Sequence, residues 1–161
     1  MKFQKSSAYT LIEILVVVAL ITLLFTAGYA NYRDFGRRQA LSGAAKQLEG
    51  DLRKAQQNAL SGIKPGGSAC DSLALTSYLV DIDCTDSNSC SYTIDANCSG
   101  SIVNLDTKSL TGVTVSATSD PEPITFEVLG RGATPSVITI TQDGTGKTVN
   151  LNVGSGGDIS M

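Results

Sequence analysis

One stretch limits what this chain can become: Ala8 to Ala30, AYTLIEILVVVALITLLFTAGYA. It follows the short basic leader MKFQKSS and holds one charge, Glu13, in an otherwise apolar run. As an α-helix, Leu11 to Ala30 would rise about 30 Å, the thickness of a hydrocarbon core. Lys2 and Lys5 precede it, so the leader is expected on the cytoplasmic side and everything after Ala30 on the far side. A carboxylate in a membrane helix costs up to about 3 kcal/mol at the bilayer centre and less near the edge. No cation within the apolar run can pair with it, so Glu13 is the residue that needs explaining.

Basic leader, small residue, aromatic, Thr10-Leu11-Ile12-Glu13 and a long apolar run together resemble the prepilin signature of type IV pilins and type II secretion pseudopilins. The resemblance implies cleavage by a prepilin peptidase between Ala8 and Tyr9, followed by methylation of the new amine. Glu13 then becomes the fifth residue of the mature chain, where it can neutralise the terminal cation of a neighbouring subunit. The family usually has Gly where Ala8 stands and Phe where Tyr9 stands, and both replacements keep the character of the site. An ordinary membrane anchor accounts for the length but not for Glu13. An ordinary signal peptide would use Gly28 and Ala30 for a cut before Asn31, but the apolar region is long for one and carries an acid.

Charge divides the rest. Residues 1–64 hold nine Lys/Arg and four Asp/Glu, a net of +5; residues 65–161 hold three and eleven, a net of −8. An acidic outer part is poorly suited to nucleic acid, whose binding needs cations against phosphates. The chain has no His and no Trp, so the commonest general base and metal ligand is absent. Asp81, Asp83 and Asp86 do not have the spacing of a calcium-binding EF-hand loop, and Gly130-Arg131-Gly132 opens no helix that could cradle phosphate. No Ser is accompanied by a base, so no enzymatic activity, cofactor or metal is expected.

Beyond Ala30 the pattern stays helical. Leu41, Ala45, Leu48, Leu52, Ala55 and Ala59 recur at alternating spacings of four and three, one narrow stripe that predicts a continuous helix from about Thr10 to Ser61. Gly62, Pro65, Gly66 and Gly67 end it. Gly36, Gly43 and Gly50, seven residues apart, fall opposite the stripe, and each costs the helix about 1 kcal/mol relative to Ala. They mark either a tolerant solvent face or a place where neighbouring helices approach closely in a filament.

Strand patterns follow: Leu73–Ile82, Tyr92–Ile94, Val113–Val115, Ile124–Val128, and a hairpin in VITITQDGTGKTVNLNV that turns at Asp143–Gly146. The tail GSGGDISM reads as a last short strand or a frayed end. Four cysteines within 29 residues of a small exported domain read as two disulfides. Of three connectivities, a hairpin pairing Ser77–Asp83 with Ser91–Asp95 favours Cys84–Cys90 and Cys70–Cys98, with Cys98 opposite Thr76. ITFEVLGRGATPSVITIT with the hairpin after it is similar, in pattern only, to the H-type minor pseudopilins.

The fold expected is α+β: a long N-terminal helix packed on a small antiparallel β domain. Its parts are a leader (1–8), an assembly helix crossing the membrane (9–30), a helical arm (31–62) and a disulfide-stapled domain (65–161). The function expected is that of a pilin or minor pseudopilin. Its implied partners are other pilins, the prepilin peptidase, an inner-membrane assembly platform and, before assembly, membrane lipid. The competing reading is an exported adhesin-like domain released by signal cleavage near Ala30.

Overall fold

A computed structural model describes residues 10–66, 69–86, 89–118 and 123–161. A long α-helix, α1, runs from Leu11 to Ser61. It ends as the glycine at position 62 predicts: Gly62 takes φ 62°, its N–H donates to Ala59 O, and the Ile63 N–H donates to Asn58 O. These two bonds satisfy carbonyls that the helix end would otherwise orphan.

Among the described residues eight strands follow: β1 (Leu75–Asp86), β2 (Ser89–Cys98), β3 (Ser101–Thr111), β4 (Val113–Ala117), β5 (Ile124–Glu127), β6 (Ser136–Gln142), β7 (Thr148–Val153) and β8 (Ile159–Ser160). They form two four-stranded sheets, β3-β2-β1-β5 and β4-β6-β7-β8, in which every pairing is antiparallel. The fold is α+β, with the helix packed on antiparallel sheets. The tail resolves into β8, which pairs with β7. Strand β3 has no counterpart in the sequence reading. It is an edge strand with Leu110 as its one buried residue, so it lacks the apolar alternation that identifies a half-buried strand.

The chain divides into two compact units, Met1–Gly36 and Arg37–Met161. The division falls earlier than 62–65 because Leu41, Ala44, Ala45, Leu48, Leu52, Ala55 and Ala59 are buried in one core with the sheets. From sheet one that core takes Tyr78, Val80, Tyr92, Ile94, Ile124 and Phe126, and from sheet two Val113, Val115, Ile138, Ile140 and Leu151. Burying each of the leucines contributes about 1.5–3 kcal/mol.

Both disulfides are the pairs that the hairpin register predicts. Cys70–Cys98 has its Cα atoms 5.3 Å apart, and Cys84–Cys90 has them 4.2 Å apart. The register itself shifts near both ends, between Asp83 and Asp86, where Asp86 pairs with Ser89, and between Leu75 and Ser77. Ser77↔Asn97 through Asp83↔Ser91 pair as expected, but Cys98 stands opposite Leu75 rather than Thr76. A bulge between Leu75 and Ser77 takes up the extra residue, and Thr76 uses its hydroxyl to donate to Asn97 O at 2.8 Å. Residues 87–88 of the loop between the strands lie outside the described residues.

Candidate functional site

The expected cleavage site, Ala8 and Tyr9, lies outside the described residues. The described residues begin at Thr10. Thr10 caps α1: its hydroxyl and its carbonyl both accept from the Glu13 N–H, at 3.3 and 3.1 Å. Thr10-Leu11-Ile12-Glu13 therefore has the Ser/Thr-x-x-Glu spacing of a capping box, and a carboxylate in the first turn also suits the positive end of the helix dipole. The Glu13 side chain is exposed and makes no ion pair among the described residues.

Around it the helix is apolar on every side. From Leu11, 83% exposed, to Phe25, all of the large apolar side chains are open, and even Ile21 is 44% exposed. Leu24, Phe25, Tyr29 and Tyr32 line an open apolar groove of about 460 Å³. A helix that is apolar all round is stable only inside something apolar. Among the described residues, no helix is long and apolar enough to cross a membrane. The expected span 9–30 is therefore not met by them alone. Tyr9 lies outside them.

Gly36, Gly43 and Gly50 are exposed, and a Cβ built on any of them would meet nothing within 4 Å. Gly43 lies on the floor of a groove of about 340 Å³ lined by Arg38, Gln39, Ser42, Gly43 and Lys46. Nothing in the Arg37–Met161 unit requires glycine at 43 or 50 on steric grounds.

A buried polar cluster escaped the sequence reading. Asp51 is 7% exposed, on the edge of the leucine stripe. Lys108 Nζ on β3 donates to both of its oxygens at 2.9 Å, and the Tyr92 hydroxyl on β2 donates to Oδ2 at 2.5 Å. Gln47 Nε2 donates to that same hydroxyl at 3.2 Å. Burial first, and then the bond to Asp51, push the Tyr92 phenol far above its ordinary range. Lys108 is raised chiefly by its hydrogen bond to Asp51. Both shifts oppose the loss of a proton, so the cluster does not prepare a nucleophile. It fixes the rotation of α1 on the sheet: turning the helix by one residue would expose the stripe and strand a buried carboxylate. The sequence signal was one acid, Asp51, set between Leu48 and Leu52 on an apolar face.

Tyr78 is similar in kind. Its hydroxyl donates to Ile63 O at 2.6 Å just beyond the helix end, and burial raises its pKa. Among the described residues, no group of three or more His, Cys, Asp or Glu is placed to hold a metal ion.

Compared with known proteins, residues 3–29 match the family described as the prokaryotic N-terminal methylation motif. No curated protein and no solved structure matches the chain significantly. The matched segment takes in the leader from Phe3 onward, Ala8, Tyr9, Glu13 and the apolar run as far as Tyr29, so the family match falls on the junction and the acid that the prepilin reading singles out. Such a motif suggests a structural subunit rather than an enzyme. The chain thus carries the prepilin-type N-terminal methylation motif, consistent with a type IV pilin or pseudopilin.

Proposed function

We propose that this chain is a filament subunit, a pilin or minor pseudopilin. Prepilin peptidase cuts it between Ala8 and Tyr9 and methylates the new amine. The inner membrane then holds it by the apolar helix until an assembly platform adds it to a type IV pilus or type II secretion pseudopilus. Glu13 pairs with the terminal amine of a neighbouring subunit, and Gly36, Gly43 and Gly50 let the arm pack closely against others. The observation that carries this reading is the coincidence of the methylation motif with a helix whose large apolar side chains are all left open from Leu11 to Phe25. That surface needs a partner, and neighbouring subunits of the same kind supply an apolar one.

Mass spectrometry of the native N-terminus tests it. A chain beginning at methylated Tyr9 is expected. A chain beginning at Asn31 would instead establish ordinary signal cleavage and a released β domain.

A further inference from the structure

Two surfaces of the Arg37–Met161 unit carry opposite charge. The first is the side of α1 turned away from its leucine stripe. At about 100° per residue, Gly43, Lys46, Gly50, Arg53 and Lys54 share one sector of roughly 100° opposite the stripe. Arg53 is held by Glu49 at 2.7 Å. Lys46 and Lys54 are exposed and, among the described residues, have no carboxylate within ion-pairing distance. The groove over Gly43 runs between two cations, Arg38 and Lys46.

The second surface is the outer face of the first sheet. Its inner face gives Tyr78, Val80, Tyr92, Ile94 and Phe126 to the core. Alternation along the strands therefore places Asp81 and Asp83 of β1, Asp95 of β2 and Glu127 of β5 on the outer face. Leu79 is paired with Asp95 and Ser77 with Glu127, so all four acids stand on adjoining rows. Their neighbours across the β2–β3 ladder are Ser91 with Ser109, Thr93 with Thr107, and Asn104 beside Asp95. Among the described residues the strands themselves place no Lys or Arg on this face; Ser77 and Leu79 on it are buried, and Asp81, Asp83 and Glu127 are exposed. Asp95 accepts from Thr93 Oγ1 and Asn104 Nδ2, neutral donors that orient it without cancelling its charge.

Within one copy these surfaces cannot meet, because α1 packs on the inner face of the sheet whose outer face is acidic. We propose that the Lys46–Lys54 side of α1 in one copy docks on the Asp81–Asp83 face of a second copy of this chain. The carboxylates enter the Gly43 groove between Arg38 and Lys46. The spacing suits this: Asp81 and Asp83 are about 7 Å apart along the strand, and Arg38 and Lys46 about 12 Å apart along the helix, with long side chains that can close inward. The occupant is a second copy because the chain itself supplies the complementary charge. Two different patches meeting head to tail also leave each copy with one of each unused, so the contact repeats into an open helical array instead of closing as a dimer. This rests on the reading of the chain as a filament subunit and supplies a contact outside the apolar segment.

The test uses the full chain under conditions where the unaltered protein assembles. Lys46→Glu with Lys54→Glu is expected to lower assembled, sedimentable chain by about tenfold or more, and Asp81→Lys with Asp83→Lys to do the same. Producing the two reversed chains together is expected to restore assembly, because each then offers the charge that the other lacks. Normal assembly of either reversed chain alone, or no restoration in the mixture, overturns the proposal. Should a reversed chain misfold, carbodiimide cross-linking of mixed heavy- and light-isotope copies of the unaltered chain decides. A peptide joining Lys46 or Lys54 of one copy to Asp81 or Asp83 of the other supports the docking, and cross-links elsewhere overturn it. A chain that begins at Tyr9 and assembles despite reversal fails the docking alone. A chain that begins at Asn31 fails the subunit reading itself.

Discussion

The Met1–Gly36 and Arg37–Met161 units share one helix and use their apolar residues in opposite ways. In the first, Leu11 through Phe25 face outward on all sides, and the groove found there is lined by Leu24, Phe25, Tyr29 and Tyr32. In the second, the stripe of Leu41, Ala45, Leu48, Leu52, Ala55 and Ala59 is taken up by the core, and an open groove is lined by Arg38, Gln39, Ser42, Gly43 and Lys46. The difference is one of pattern rather than helix type. A stripe solves its burial problem inside its own chain, whereas an all-round apolar surface has to solve it with other molecules. Substitutions in the first unit should therefore disturb assembly and leave folding alone, and core substitutions in the second should do the reverse.

The sharpest way to break this contrast is at Glu13. Glu13→Val removes a charge that has no ion-pair partner among the described residues, so the melting temperature of the β domain is expected to stay unchanged. Incorporation into filaments is expected to be lost, because the amine of a neighbouring Tyr9 would enter an apolar environment unpaired. Cleavage, melting and incorporation are measured separately. Normal incorporation would show that the terminal amine does not depend on Glu13.

In the second unit the largest single effect belongs to a disulfide. Cys70–Cys98 closes a longer loop than Cys84–Cys90, with sequence separations of 28 and 6. Loop-closure entropy assigns the two bridges about 3.6 and about 2.4 kcal/mol. Paired Cys→Ser variants read by denaturant unfolding should keep that order, with Cys70 and Cys98 costing more. Assembly of whichever variant remains folded should be retained.

How much of this was legible beforehand depended on whether a feature lay in local pattern or in what the chain brings together from afar. The leucine stripe, the glycine stop at 62, the β6–β7 hairpin and the disulfide pairs are local periodicities or short-range registers, and they could be read directly. The sequence reading missed β3 because an edge strand with Leu110 as its one buried residue carries almost no burial signal. The bulge at Thr76 moved Cys98 by one place, a shift visible only once a side chain replaces a ladder bond. Asp51 was passed over because an acid on a helix is ordinarily solvated. Its partners, Tyr92 and Lys108, lie 41 and 57 residues away, and nothing local announces them.

Asp51 offers the next test. Asp51→Ala leaves the Tyr92 hydroxyl and Lys108 without their acceptor and should destabilise the Arg37–Met161 unit by about 2–3 kcal/mol, with cleavage at Ala8 unaffected. The same cluster sets an alkaline limit. Tyr92 and Lys108 both have folded pKa values above their ordinary 10.0 and 10.5. Their contribution is therefore complete below those values and is lost as pH rises through the folded ones. Melting temperature should begin to fall above about pH 10. Tyr92→Phe should lower stability at neutral pH by about 1 kcal/mol and make the alkaline decline shallower.

The smallest effect expected is a gain, on the open side of α1 in the Arg37–Met161 unit. Gly43 and Gly50 lie in helix with open space where a Cβ would stand, so Gly43→Ala and Gly50→Ala introduce no clash. Each removes the excess backbone freedom that glycine keeps in the unfolded chain, about 1 kcal/mol, and the two should add because they stand seven residues apart with no shared contact. Thermal melting of the double variant should therefore rise by several degrees. If the glycines only tolerate solvent, assembly will follow the unaltered chain. If close approach of another subunit requires them, Gly43→Leu with Gly50→Leu should also stabilise the folded chain, since leucine is a good helix former and has room here, yet assembly should fall. A variant that folds better and assembles worse would show that the chain keeps its glycines at 43 and 50 for its neighbours and not for itself.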